Sequence, residues 1–149
     1  MEREHDMESR APAGRLAGAA RVELGELVAV FAGGFVGAIA RAAVARGLPA
    51  APGTWPWATF AVNIAGALVL GCVVTYLQER PAPSRYLRAL LGAGLCGALT
   101  TFSTMMLELL GMIEAGRLAL AAAYAGASVG CGLAVVLVAT SALRRVWPR

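Results

Sequence analysis

Four long uncharged stretches dominate the chain, and nearly all of its arginines and acids fall between them. The first predicted span runs from about Leu24 to Val44, with Glu26 at its entrance and Arg41 near its exit. The second lies within the uncharged stretch from Gly47 to Gln78 and starts near Trp55 or Trp57. The third is uncharged from Ala89 to Leu107 and ends around Glu108 to Gly111; the fourth is uncharged from Leu118 to Leu143. Each supplies roughly 20 helical residues, which at about 1.5 Å per residue cross a hydrocarbon core of about 30 Å. No water reaches that core, so each span must satisfy its own backbone. Helices do this, and the alternating pattern of a membrane barrel is absent.

The linkers are short. The 45–54 linker carries Pro49, Pro52 and Gly53; the 79–88 linker carries Pro81 and Pro83; the 112–117 linker carries one glycine. Consecutive spans are therefore antiparallel neighbours. Trp55, Trp57, Tyr76, Tyr86 and Trp147 fall near span boundaries, where amphipathic rings favour the headgroup level. The organisation expected is a flexible cytoplasmic tail over 1–23, a four-helix domain over 24–143 and a basic tail over 144–149. The first segment has no apolar run with a cleavage site, so it does not read as a signal peptide.

Composition sharpens the class. Of 149 residues, 58% are hydrophobic and only 15% charged, with a mean hydropathy of +0.67. A soluble fold of this size could not hide so much apolar surface. An ordinary cytosolic enzyme, a disordered chain and a disulfide scaffold are excluded. The 13 basic residues are all arginine and give a net charge of +4, but they flank apolar runs, which fits membrane boundaries and not a nucleic-acid footprint. Cys72, Cys96 and Cys131 sit in apolar segments, and His5 lies in a polar tail. Structural zinc and a Cys/His nucleophile are thus improbable, and the cysteines read as small apolar packers. Gly33 with Gly37 and Gly126 with Gly130 form GxxxG pairs, while Gly92, Gly94 and Gly97 crowd the third span. Such spacing lets helices approach closely, although glycine is also common in membrane helices generally.

Three polar intrusions remain. Arg41 either snorkels to the interface or lines a water-filled vestibule that draws anions. Thr59 and Asn63 are one turn apart and share a face; the asparagine either bonds a neighbouring helix or donates to a passing solute. Gly97-Ala98-Leu99-Thr100-Thr101-Phe102-Ser103-Thr104 places four hydroxyls and a glycine in mid-span. Hydroxyls can bond back to the preceding turn, so such runs are tolerated. Four within five residues, beside a glycine, suggest a helix break whose freed carbonyls could hold a cation.

These three runs, Gly33-Gly34-Phe35-Val36-Gly37-Ala38-Ile39-Ala40-Arg41, Thr59 to Asn63 with Gly66, and Gly94 to Thr104 with Glu108, resemble the signatures of the CrcB/Fluc fluoride channels, in order and at matching spacing. The resemblance covers roughly Leu24 to Leu143. It implies an all-α membrane protein with four transmembrane helices per subunit, the third broken near its centre, assembled as an antiparallel dimer. It further implies two narrow pores that pass fluoride out of the cell, a central structural sodium ion and a location in the cell membrane. By motif position, Asn63 would be a pore donor and Thr59 its polar neighbour. Phe102 would present its ring, Ser103 and Thr104 would form the polar track, and Ser128 would donate from the fourth span. Arg41 would sit near the vestibule and Glu108 near a pore end, while Gly97 and Thr100 would offer carbonyls to sodium. The physics agrees: fluoride is small and strongly hydrated, so a pore needs dense uncharged donors and positive ring edges that bind without trapping.

Two features depart from the family pattern. The family usually continues Phe-Ser-Thr-Phe, with two rings one turn apart, but Met105 stands at the second position here. Methionine has no positive ring edge, so Met105→Phe could raise flux. The second departure is charge bias. Taking the N-terminus as cytoplasmic, that side holds Arg3, Arg10, Arg15, Arg21, Arg80, Arg85, Arg88, Arg144, Arg145 and Arg149, against Arg46 and Arg117 opposite. This asymmetry predicts one fixed orientation, with both termini cytoplasmic. A self-pairing antiparallel dimer inserts the same chain both ways, so the bias favours a heterodimer with an oppositely oriented homologous subunit. A small multidrug-type exporter needs an acid buried in the first span, where this chain has only Glu26 at the edge. A membrane assembly subunit would leave Asn63 and the 97–104 polarity without a use, and no nucleophile–base pair points to an enzyme.

Overall fold

In the computed structural model, residues 23–51, 53–79 and 84–146 are described, and among them the chain is entirely helical. Four helices are long and apolar enough to span a membrane: α1 (Leu24–Gly47), α2 (Trp57–Gln78), α3 (Arg85–Glu114) and α4 (Leu118–Val146). The tail up to residue 22, part of the middle linker and Trp147 lie outside the described residues. α1, α3 and α4 run a few residues past the predicted uncharged stretch, whereas α2 lies inside it; the starts of α1 and α3 are capped. Glu23 and Glu26 form a capping box at the start of α1, and Ser84 Oγ accepts from the Leu87 amide before α3.

Side-chain bonds at the helix ends fix the up-and-down order. Arg85, at the start of α3, pairs with Glu23 at 2.5 Å and with Glu26 at 3.9 Å, while Arg144 near the end of α4 pairs with Glu79 at the end of α2 at 3.8 Å. At the opposite end Arg117 Nη1 donates to the Gly53 carbonyl at 2.8 Å, tying the α1–α2 and α3–α4 loops together. Gly53 and Gly116 have φ of +72° and +73°, left-handed values that suit glycine in these turns. The Arg85 pair is well exposed and screened by solvent, so it sets register more than stability.

Glycine sets the tightest contact. A methyl at Gly33 would run into the Leu90 carbonyl, one at Gly37 into that of Leu95, and one at Gly94 would lie 2.6 Å from the Val30 carbonyl. The backbones of α1 and the first half of α3 therefore touch, and only the absence of Cβ allows it. Along this contact α3 widens into a π-helical stretch, Arg88–Cys96. Gly71 plays a similar part between α2 and α4, against Val136 and Ala139. Gly126 and Gly130 do not: nothing lies within 4 Å of their added methyls, so the fourth-span glycine pair faces away from its own subunit.

The buried core is small. Met105, Met112, Ala121 and Tyr124 form its centre, with Trp55, Phe60, Leu109 and Leu120 around them. Large apolar side chains such as Phe31, Phe35, Leu118 and Val138 point outward. In water that surface would be ruinous; in a bilayer lipid tails cover it. The chain is a multi-pass membrane protein.

Candidate functional site

The helical path of α3 stops at Thr100 and Thr101 and resumes at Phe102. Thr100 takes φ −78°, ψ 157° and Thr101 φ −149°, ψ 115°, both extended. In an unbroken helix the Thr101 amide would bond the Gly97 carbonyl, and the Thr104 amide the Thr100 carbonyl. Here the Thr101 amide donates to Asn63 Oδ1 at 2.8 Å, and the Thr104 amide donates to Thr101 Oγ1 at 3.2 Å. The carbonyls of Gly97 and Thr100 are thereby released from their helical donors.

Asn63 holds the break with both ends of its amide. While Oδ1 accepts from the Thr101 amide, Nδ2 donates to the Thr101 carbonyl at 3.2 Å. A backbone donor and acceptor at bilayer depth are thus satisfied by one side chain from α2, which is what makes non-helical backbone tolerable there. Thr101 is 7% exposed and its hydroxyl donates to Thr104 Oγ1 at 2.9 Å; Ser103 Oγ lies 3.4 Å from the same hydroxyl. These contacts cap the second half of α3 (Phe102–Glu114) from within.

One turn from Asn63, Thr59 Oγ1 donates to Glu108 Oε1 at 2.6 Å. Tyr124, fully buried on α4, donates to the other carboxylate oxygen at 2.9 Å. Ser128, a turn further along α4, has a buried hydroxyl beside that of Tyr124 without hydrogen-bond geometry. The polar side chains thus form two bonded groups, Asn63 with Thr101, Ser103 and Thr104, and Thr59 with Tyr124 about Glu108 beside Ser128; together they make a donor file in which Glu108 is the one acid.

Cavities flank the file. One of about 420 Å³ is lined by Asn63, Gly66, Gly97, Thr100, Thr101 and Phe102. A second, about 230 Å³, brings Arg41 to Thr59, Thr101 and Thr104. A third, about 320 Å³, opens on Thr104 and Glu108 beneath the Gly53–Pro56 loop. Asn63, Thr59, Thr104 and Glu108 are thus gathered with the α3 break, and Phe102, Gly97 and Thr100 share one cavity with Asn63. Phe102 is 71% exposed in the single subunit.

Met105 lines none of these cavities. It is 8% exposed and packs into the core with Met112 and Tyr124, so it fills space where the family pattern leads one to expect a second ring. Sequence reasoning does not bring Tyr124 to the site. Its signal is present, since Tyr124 and Ser128 stand one turn apart on a single face of an otherwise apolar helix. Tyrosine near a span end reads first as an interface anchor, and only the fold shows that it turns inward.

A family described as "CrcB-like protein, Camphor Resistance (CrcB)" matches residues 28–140. Among curated relatives, "Fluoride-specific ion channel FluC 1" of Mycobacterium bovis is 54% identical over 121 residues, covering 81% of this chain and 92% of that protein. "Fluoride-specific ion channel FluC 2" of Nocardia farcinica is 38% identical over 118 residues (79% and 84%), and "Fluoride-specific ion channel FluC" of Chlorobaculum tepidum is 38% identical over 118 residues (79% and 93%). These relatives carry the names of channels, not of enzymes.

Proposed function

The chain belongs to the CrcB-like family, and from that premise we propose that it is a subunit of a fluoride-selective channel through which fluoride leaves the cell passively, reducing its toxicity. The observation that carries the reading is the file of neutral donors at the α3 break. Fluoride gives up tightly held water on entering a pore, and only closely spaced hydrogens replace it. Amide and hydroxyl groups provide them without the fixed positive charge that would arrest the ion. The Asn63 amide and the edge of the Phe102 ring serve in this way along the 420 Å³ cavity, the Thr104 hydroxyl serves in the two neighbouring cavities with Ser103 close by, and the Ser128 hydroxyl continues the path on α4. Arg41 stands at a side cavity and raises the local concentration of anions. Glu108 accepts from the Thr59 and Tyr124 hydroxyls at the file.

Sodium fits the released carbonyls. Gly97 and Thr100 offer hard oxygen ligands freed from their helical donors, the donor type that suits a small hard cation. A bound sodium ion would supply positive charge against the C-terminal end of the helix before the break. The proposed assembly is an antiparallel dimer with two pores in the cell membrane. The outward exposure of Phe102 and the open Gly126–Gly130 face support a second subunit. The arginine asymmetry supports fixed insertion with both termini cytoplasmic, hence pairing with an oppositely oriented homologous subunit.

Glu26 sits in a capping box and an ion pair at the helix entrance, and not within the span where an exporter would need its acid. Efflux from proteoliposomes, read with a fluoride electrode and with chloride as control, tests the proposal. Fluoride-selective efflux is expected from the chain with its sister subunit. Efflux no faster than from empty vesicles, with and without that subunit, would overturn the channel reading, and full activity from the purified homodimer would overturn the obligate partner.

A further inference from the structure

Among the described residues, two buried side-chain polar atoms lack a hydrogen-bond partner: Trp55 Nε1 and Ser128 Oγ. They flank one residue. The Trp55 ring meets Tyr124 edge-on, with centroids 5.4 Å apart and planes at 76°, and Ser128 is one turn from Tyr124 on α4. Tyr124 spends its own hydroxyl on Glu108.

An indole N–H can only donate, and a buried donor left unmet costs about 1–3 kcal/mol. Packing does not account for it, since a phenylalanine would fill the cluster of Phe60, Trp57 and Tyr124 without a polar atom. Anchoring at the membrane surface does not account for it either. Trp57, 60% exposed, is placed for that task, whereas the Trp55 nitrogen is turned inward. The ring is packed against Trp57, Phe60 and Tyr124, and the loop that carries it is held in place. Thr54 bonds back to the Ala51 carbonyl through both its amide and its hydroxyl, the Trp57 amide bonds the Trp55 carbonyl, and Arg117 secures Gly53. A fixed, buried, unspent donor at the loop end of a donor file is a preorganised place for an acceptor.

We propose that the Trp55 indole N–H is a fluoride-binding donor of the conduction path, forming with Tyr124 and Ser128 a station between the Gly53–Pro56 loop and the Asn63 break. The inference rests on the fluoride-channel reading and assigns Trp55 a role within it. Being uncharged, the N–H fits a site that must release its ion.

The test uses the full chain with its sister subunit, in two arms. In the first, Trp57 and Trp147 are replaced by phenylalanine and the single indole ¹⁵N–¹H resonance of Trp55 is followed in detergent. Titration with sodium fluoride is expected to move it progressively, while equal sodium chloride leaves it in place. In the second, Trp55→Phe, which keeps the ring and removes the N–H, is expected to slow fluoride efflux roughly tenfold, the loss of one hydrogen bond to an anion. Protein that fails to assemble with Trp55→Phe leaves the resonance arm to decide. A resonance indifferent to fluoride, or displaced equally by both salts as water contact would do, overturns the inference. Wild-type protein that conducts while these results are negative sinks Trp55 alone; wild-type protein that does not conduct sinks the channel reading itself.

Discussion

Replacing Asn63 with aspartate separates the charge of the pore from its shape. The two side chains are nearly isosteric, so packing against Thr101 is kept. One carboxylate oxygen still accepts from the Thr101 amide at the position 2.8 Å away. The other replaces Nδ2 and faces the Thr101 carbonyl across 3.2 Å, turning a hydrogen bond into a contact between two acceptors. The lost bond is worth about 0.5–1.5 kcal/mol. The new charge matters more: at about 5 Å and an effective dielectric of about 20, its repulsion of a passing anion is ~3 kcal/mol, about a hundredfold in occupancy.

A second consequence follows from the same geometry. The contact between two acceptors is relieved when the introduced carboxylate takes up a proton. Once protonated, it regains the pattern of asparagine, with a hydroxyl donating to the Thr101 carbonyl and a carbonyl accepting from the Thr101 amide. Fluoride efflux through Asn63→Asp is therefore expected to fall by one to two orders of magnitude near neutral pH and to recover as pH drops. Efflux is measured with a fluoride electrode from pH 7.5 to 5, with protein-free vesicles at each pH because hydrogen fluoride crosses bare lipid. Wild-type flux at pH 7.5, or a deficit that does not change with acidification, would remove Asn63 from the ion path.

Phe102→Ile keeps apolar bulk but removes the positive ring edge, and flux should drop about tenfold; an unchanged rate would make the ring mere packing. Gly33→Ala drives a methyl into the Leu90 carbonyl and should cost at least the upper part of the about 1–3 kcal/mol typical of overpacking, visible as a lower melting temperature in detergent, whereas Gly126→Ala meets nothing in the subunit and should act only on assembly with the second one, read as a changed dimer fraction. Met105→Phe adds a rigid ring to the packed cluster around Tyr124 and should lower stability by about 1–2 kcal/mol without raising fluoride flux, to be read from thermal unfolding and efflux together.

How much of the fold is legible in the sequence follows the range of the forces involved. Lipid asks the same of every residue on a span, so uncharged stretches and arginine-rich linkers locate all four helices to within a few residues. The third-helix site is legible because glycine and hydroxyls crowd one short run, and local composition is enough to mark non-helical backbone at depth. Contacts between helices obey no such local rule. Gly33–Gly37 and Gly126–Gly130 have the same spacing, yet the α1 pair carries the contact with α3 and the α4 pair faces outward. Met105 continues a motif by position, and its rotation about the helix axis packs it into the core beside Tyr124. Tyr124 and Trp55 are hidden for the complementary reason: an amphipathic ring near a span end suits the membrane surface, and only tertiary packing turns it inward. The same distinction bears on assembly. Within one subunit Phe102 is largely exposed beside Asn63 and the α4 glycines face open space. Both become intelligible if a second subunit covers them, so the surface least determined by this chain's own packing is the one on which pore formation depends.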